Sequence, residues 1–154
     1  MPRISTLFQN QFVFHMTGRA LGHRWQEWEA RLQQESKNKK LTVHAFVLMS
    51  THFHLLLSVK TKENLDVEFE GTTYSVNNFE QYKNSYRYIY RNPVVAGLCL
   101  RAENYPFSTL PLILGKRSSK IPVVDHMGLI VDPQKILEWI NTNPTARPKY
   151  SRYD

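Results

Sequence analysis

Apolar and polar positions along this chain fall into short alternating runs separated by Gly, Pro and Asn. Gln11-Phe-Val-Phe-His-Met-Thr17 alternates and is rich in aromatic and β-branched types, which predicts a first strand. Gly18 and Gly22 bracket a loop. Residues 24–36 set Trp25, Trp28, Ala30 and Leu32 among charges, the spacing of an amphipathic helix. Lys37-Asn-Lys-Lys40 follows as a polar turn. Two apolar runs, 41–49 and 52–59, are split by Ser50-Thr51 and predict neighbouring strands of a hairpin. A weaker strand over 67–76 rests on Val67, Phe69, Thr72, Thr73, Tyr74 and Val76, with Gly71 as a bulge. Asn77 or Asn78 caps a helix running to about Arg91. Pro93 ends it, because proline pushes the residue before it out of the helical region. Residues 94–115 read as loop, and Lys116-Arg-Ser-Ser-Lys120 as a basic loop. A short helix capped by Asp132 spans Pro133 to about Ile140, and the polar tail from Pro144 frays.

This order predicts an α+β chain with a ferredoxin-like (split βαβ) antiparallel sheet and helices on one face. One connection does not fit. The third and fourth strands of such a sheet are joined by a crossover, usually helical, yet only Lys60–Asp66 separates the two predicted strands. Either the crossover helix is lost, or residues are missing from the sequence; the second is the expectation.

Two histidines give the chain its chemistry. His52 and His54 lie two apart in an apolar, β-prone run, so a strand turns both imidazoles to one face and Phe53 to the other. In isolation such a pair is most often structural. On the helix, Tyr82, Tyr86 and Tyr90 share one face and read as a buried stripe, whereas Tyr88 lies about 200° from Tyr86. Asn92 follows Tyr88 by one turn, so the two side chains are neighbours. Placed over the histidines, this pair supplies a nucleophile and a third ligand. A divalent ion, Mg²⁺ or Mn²⁺, on His52, His54 and Asn92 would polarise a phosphodiester while Tyr88 attacks it. Arg87 and Arg91 flank Tyr88, and Arg19 follows the first strand; all three are candidate phosphate contacts. His15, His23, His44 and His126 lack partners at metal spacing and read as structural. Trp25 and Trp28 read as core.

Composition narrows the partners. The 154 residues carry a formal net charge of +7, which favours polyanions, nucleic acid first. Cys99 is the single cysteine, so an intrachain disulfide and a cysteine-based zinc site are both excluded. No apolar stretch approaches the roughly 20 residues that span a bilayer, and the N-terminus lacks a signal-peptide core. A cytoplasmic protein without a membrane partner is expected.

Several stretches resemble the single-tyrosine HUH transposases (the IS200-like transposase domain), above all the REP-associated tyrosine transposase branch. Phe14-His-Met-Thr-Gly-Arg-Ala20 resembles the first-strand motif of that family. His44-Ala-Phe-Val-Leu-Met-Ser-Thr-His-Phe-His-Leu-Leu-Leu57 resembles its HUH strand pair, in which Phe53 is the bulky apolar residue. Tyr88-Ile-Tyr-Arg-Asn-Pro-Val-Val-Ala-Gly97 resembles the nucleophile helix with its Asn-Pro turn, and Tyr105-Pro-Phe-Ser-Thr-Leu110 the segment that follows. The motifs occur in the family's order over roughly residues 8–115. The resemblance implies metal ligands at His52, His54 and Asn92, a nucleophile at Tyr88, and cleavage and rejoining of single-stranded or hairpin DNA through a 5′-phosphotyrosine. It leaves open whether the chain acts as a monomer or a homodimer. Two departures stand out: Thr51 replaces the Asn common before the first histidine, and the third-to-fourth strand segment is short. Residues 1–115 are expected to form the catalytic domain, and 116–154 a partly helical extension. The competing readings are a non-catalytic nucleic-acid binder on the same fold and a phosphodiesterase using water.

Overall fold

In the computed structural model, residues 4–20, 24–38, 41–65, 71–142 and 152–153 are described. The expected Gly22 loop, His23, Lys39 and Lys40, Val67 and Phe69, and most of the tail from Pro144 lie outside those residues. The order is α1 (Ile4–Asn10), β1 (Phe12–Arg19), α2 (Trp25–Asn38), β2 (Thr42–Leu48), β3 (His52–Val59), β4 (Thr72–Val76), α3 (Phe79–Val95), α4 (Leu110–Ile113), α5 (Pro133–Asn141) and β5 (Arg152–Tyr153). The strands form one antiparallel sheet in the order β2-β3-β1-β4-β5. Its first four strands have the ferredoxin-like arrangement expected of this α+β chain. The two-residue β5 brings the end of the chain onto β4, where a frayed tail was expected.

Strand alternation gives the sheet two apolar faces, each with its own buried cluster. Phe14, Met16, Phe46, Phe53, Leu55 and Leu57 pack with Trp25, Trp28 and Leu32 of α2. Val13, Ala45, Val47 and Leu56 pack with Tyr82, Tyr86, Ile89 and Tyr90 of α3. The fully apolar reading of β3, buried along nearly its whole length, is the mark of a strand covered on both sides. A bulge between Val43 and Ala45 of β2 places His44 and Ala45 together on the α3 side. Residues after Gly115 contribute to both faces, Ile121 to one and Leu129 and Ile140 to the other.

The β3–β4 connection extends to Gly71, since β4 spans Thr72–Val76. β3 ends opposite Phe12 and β4 begins opposite Thr17, so the chain must cross β1 and return along it. Lys60–Gly71, at about 3.3–3.6 Å per residue, reaches about 40 Å. That exceeds the roughly 10 Å lateral step over one strand and the return along the sheet. The crossover therefore needs no helix and no missing residues: a 3₁₀ turn at Lys62–Leu65 is the helical part among the described residues. Gly71 makes the landing feasible, since a Cβ there would sit 2.5 Å from the Thr17 carbonyl oxygen.

Helix α3 also runs on past Pro93, which lies inside it. Proline removes one donor, but the helix ends only where Gly97 takes φ +76°. There the Leu98 amide donates to the Pro93 carbonyl and the Gly97 amide to that of Val94, the double bond pattern of a glycine-terminated helix. Asn92 thus occupies a helical position one turn before the end, not a frayed terminus.

Candidate active site

The registers of β1, β3 and β4 assemble a polar patch on the α3 face. Opposite residues of an antiparallel pair share a face, so Arg19 stands beside His52, Thr17 beside His54, and His15 beside Tyr74. His52 and His54 have ring centres 5.1 Å apart at 88°. His54 is buried; His52, at the strand end, is partly exposed. Tyr88 of α3 lies against His54, its ring 5.5 Å from that of His54 and nearly perpendicular to it. Of the residues singled out in the sequence, the two histidines lie side by side and Tyr88 meets the second of them.

The patch also contains a residue that the sequence spacing left aside. His15 is buried, its Nε2 is 2.9 Å from His54 Nδ1, and its ring is 6.1 Å from that of Tyr88. The signal was present in the alternation of β1: His15 falls on the same face as Val13 and Thr17. What linear spacing could not supply was the pairing that brings it to a strand 39 residues away.

Asn92 is half-buried, one turn beyond Tyr88. Tyr82 meets His44, which bonds Ser58 near the end of β3, while Tyr88 meets His54 near its start. α3 therefore advances along β3 toward His52. Asn92 lies one further turn, about 5–6 Å, in that direction.

Arg19 is exposed at the patch. Arg87 and Arg91 point elsewhere: Arg91 is buried and donates to the Ile140 and Thr142 carbonyls, and Arg87 donates to Thr142 and lies over the Trp139 ring. They close the C-terminal end of α5, where cations complement exposed carbonyls.

The remaining tyrosines of α3 behave as the expected stripe. Tyr82, Tyr86 and Tyr90 are buried, and desolvation raises all three phenol pKa values above the ordinary value. These phenols stay protonated and out of reach of a large substrate. Tyr88 is the half-buried tyrosine of the helix on the histidine side.

A divalent ion is compatible with the pair. Ring centres 5.1 Å apart allow one ion to meet a nitrogen of each ring at about 2.1 Å. Among the described residues no three of His, Cys, Asp and Glu converge on an ion position; the Asn92 amide oxygen, one turn beyond Tyr88, is a donor of another kind. No helix among the described residues is long and apolar enough to cross a membrane.

No protein-family model and no curated protein matches the sequence. Among solved structures, the chain is similar to a REP-associated tyrosine transposase bound to a REP hairpin. The TM-score is 0.53 at 16% identity, over 76% of this chain and 87% of that one. At that identity the likeness establishes a shared fold.

Proposed function

We propose that this chain is a metal-dependent DNA strand transferase that cleaves and rejoins single-stranded or hairpin DNA through a 5′-phosphotyrosine. The observation that carries the reading is the seating of Tyr88 against His54, whose ring stands 5.1 Å from that of His52, on a fold shared with a hairpin-bound tyrosine transposase. In the proposed step the Tyr88 phenol gives up its proton and Oη attacks a phosphodiester phosphorus. The bond to the 3′ oxygen breaks, that oxygen leaves as a 3′-hydroxyl, and the 5′-phosphate stays on the tyrosine. Attack by a 3′-hydroxyl on that linkage rejoins the strand. His52, His54 and the Asn92 amide oxygen would hold Mg²⁺ or Mn²⁺, which when bound supplies Lewis acidity at the phosphate. Arg19, beside His52, contacts a neighbouring phosphate. Residues 1–115 carry this centre, and the extension steadies α3 through α5.

The test is a denaturing gel after incubation with hairpin-containing single strands and Mn²⁺. Wild type should give a protein–DNA adduct that chelator prevents. Tyr88→Phe should bind the DNA but give no adduct, and His52→Ala should lose metal-dependent cleavage. An undiminished adduct in Tyr88→Phe would remove the nucleophile assignment, and cleavage without an adduct would assign attack to water. A non-catalytic binder is favoured by one observation, that the described part of the crossover holds a 3₁₀ turn at Lys62–Leu65; it predicts binding with neither cleavage nor adduct.

A further inference from the structure

Phe107 is an aromatic residue that the fold leaves in the open, 42% exposed, although Trp25 and Tyr105 beside it are buried. Its backbone is tied down. The Leu48 amide donates to the Phe107 carbonyl at 2.8 Å, and Ser108 forms a bridge to Val47. The Phe107 segment therefore lies along the outer edge of β2, at the end of that strand. Leu48 pairs with Phe53, the neighbour of His52. About two strand spacings of roughly 4.8 Å thus separate Phe107 from the end of β3 that carries His52. Two contacts hold the ring: Tyr105 is nearly perpendicular with centres 5.8 Å apart, and Trp25 is tilted at 6.4 Å. A ring already held in place has little freedom left to lose when a ligand settles on it.

Cations stand beside this ring. Arg117 donates to the Pro106 carbonyl and lies over the Trp25 ring, 4.9 Å from its centre. Lys116 and Lys120, in the same loop, are exposed. The carboxylate that meets the loop, Glu29, accepts from Ser119 Oγ. An open aromatic ring flanked by cations matches what a single strand offers, a flat base and a charged backbone. A base inside a duplex is already stacked on both sides, so the matching ligand is an unpaired one.

We propose that Phe107 is a stacking platform for an unpaired base of single-stranded DNA, with the loop Lys116–Lys120 attending the phosphates beside it. The proposal rests on DNA being the ligand and not on cleavage. It gives the extension after Gly115 a share in binding DNA, and it carries the strand from His52 across the edge of β2.

The test is equilibrium binding by fluorescence anisotropy in chelator, with the whole chain and a hairpin that has single-stranded flanks of about ten nucleotides. A companion series carries one abasic nucleotide at each flank position in turn. Phe107→Ala should weaken binding of the intact DNA about 5- to 100-fold, the range of one base–aromatic stack. Phe107→Trp should keep wild-type affinity. One abasic position should weaken wild type by a similar factor and leave Phe107→Ala unaffected. The Lys116→Ala, Lys120→Ala double variant should flatten the salt slope by up to about 1.4, from about 0.7 per phosphate contact. A Phe107→Ala penalty equal on every DNA marks a defect of folding and overturns the platform. Unchanged affinity in Phe107→Ala overturns it too, and a change only in sedimentation assigns Phe107 to contact with a second copy of the chain. Wild type that binds no DNA in any form overturns the functional reading, and the platform with it.

Discussion

His44 shows how a single buried histidine sets a limit on acid stability. Tyr82 donates to its Nδ1 at 2.8 Å, its Nε2–H donates to Ser58 Oγ at 2.8 Å, and Ser58 passes its own proton to Gln11 Oε1 at 2.6 Å. This chain is satisfied only by a neutral ring. Burial first, and the stacked His126 second, lower the His44 pKa to about 3. The unfolded chain takes up this proton below pH 6.5, whereas the folded chain resists it until about pH 3. The stability contributed is therefore complete above pH 6.5 and is lost as pH falls, by about 1.4 kcal/mol per pH unit. Urea titrations at pH 7 and pH 5 should show wild type losing about 2 kcal/mol more than His44→Gln. Parallel losses would show that the ring is protonated without penalty. In the sequence His44 read only as a structural histidine. Its partners come from α3, from β3 and from the residue before β1, and no local pattern announces such a network.

Elements were legible where a period was long enough to be read. The His52–His54 face, the α2 stripe and the Tyr82–Tyr86–Tyr90 stripe of α3 all follow from spacings of two or of three to four, and each is realised. Boundaries depended on contacts that no period encodes. Pro93 suggested a stop, but the loss of one donor is tolerated in the last turns, and Gly97 ends the helix. Arg87 and Arg91 read as phosphate contacts because they flank Tyr88. They are instead taken by the end of α5, which lies about 50 residues further along the chain. Gly71 suggested a bulge; its role is close approach, with the Thr17 carbonyl where a Cβ would stand. Gly71→Ala should therefore push β4 away from the upper half of β1 and cost about 1–3 kcal/mol by urea denaturation. A change within about 0.5 kcal/mol, the usual range for a surface substitution, would mean that the strand entry adapts freely.

At the scale of the whole molecule, the net charge of +7 is dispersed, with no long basic run. A dispersed charge attracts any polyanion, so it cannot by itself say which surface DNA occupies. The patch narrows the choice: Arg19 is exposed beside His52, while Arg91 is buried and both Arg87 and Arg91 bond the end of α5. Ion release makes this testable without catalysis. For single strands, log K falls with log salt at a slope of about −0.7 per phosphate neutralised, so a complex neutralising about four phosphates gives a slope near −3. Anisotropy titrations of Tyr88→Phe with hairpin-containing DNA across sodium chloride concentrations should show such a slope. Arg19→Ala in that background should flatten it by about 0.7, and Arg87→Ala should leave it unchanged unless α5 is displaced. If Arg87→Ala flattens the slope while Arg19→Ala does not, the DNA lies along the α3–α5 side and not over the histidines. Tyr88 would then sit away from the bound strand, and the nucleophile assignment would fall with it.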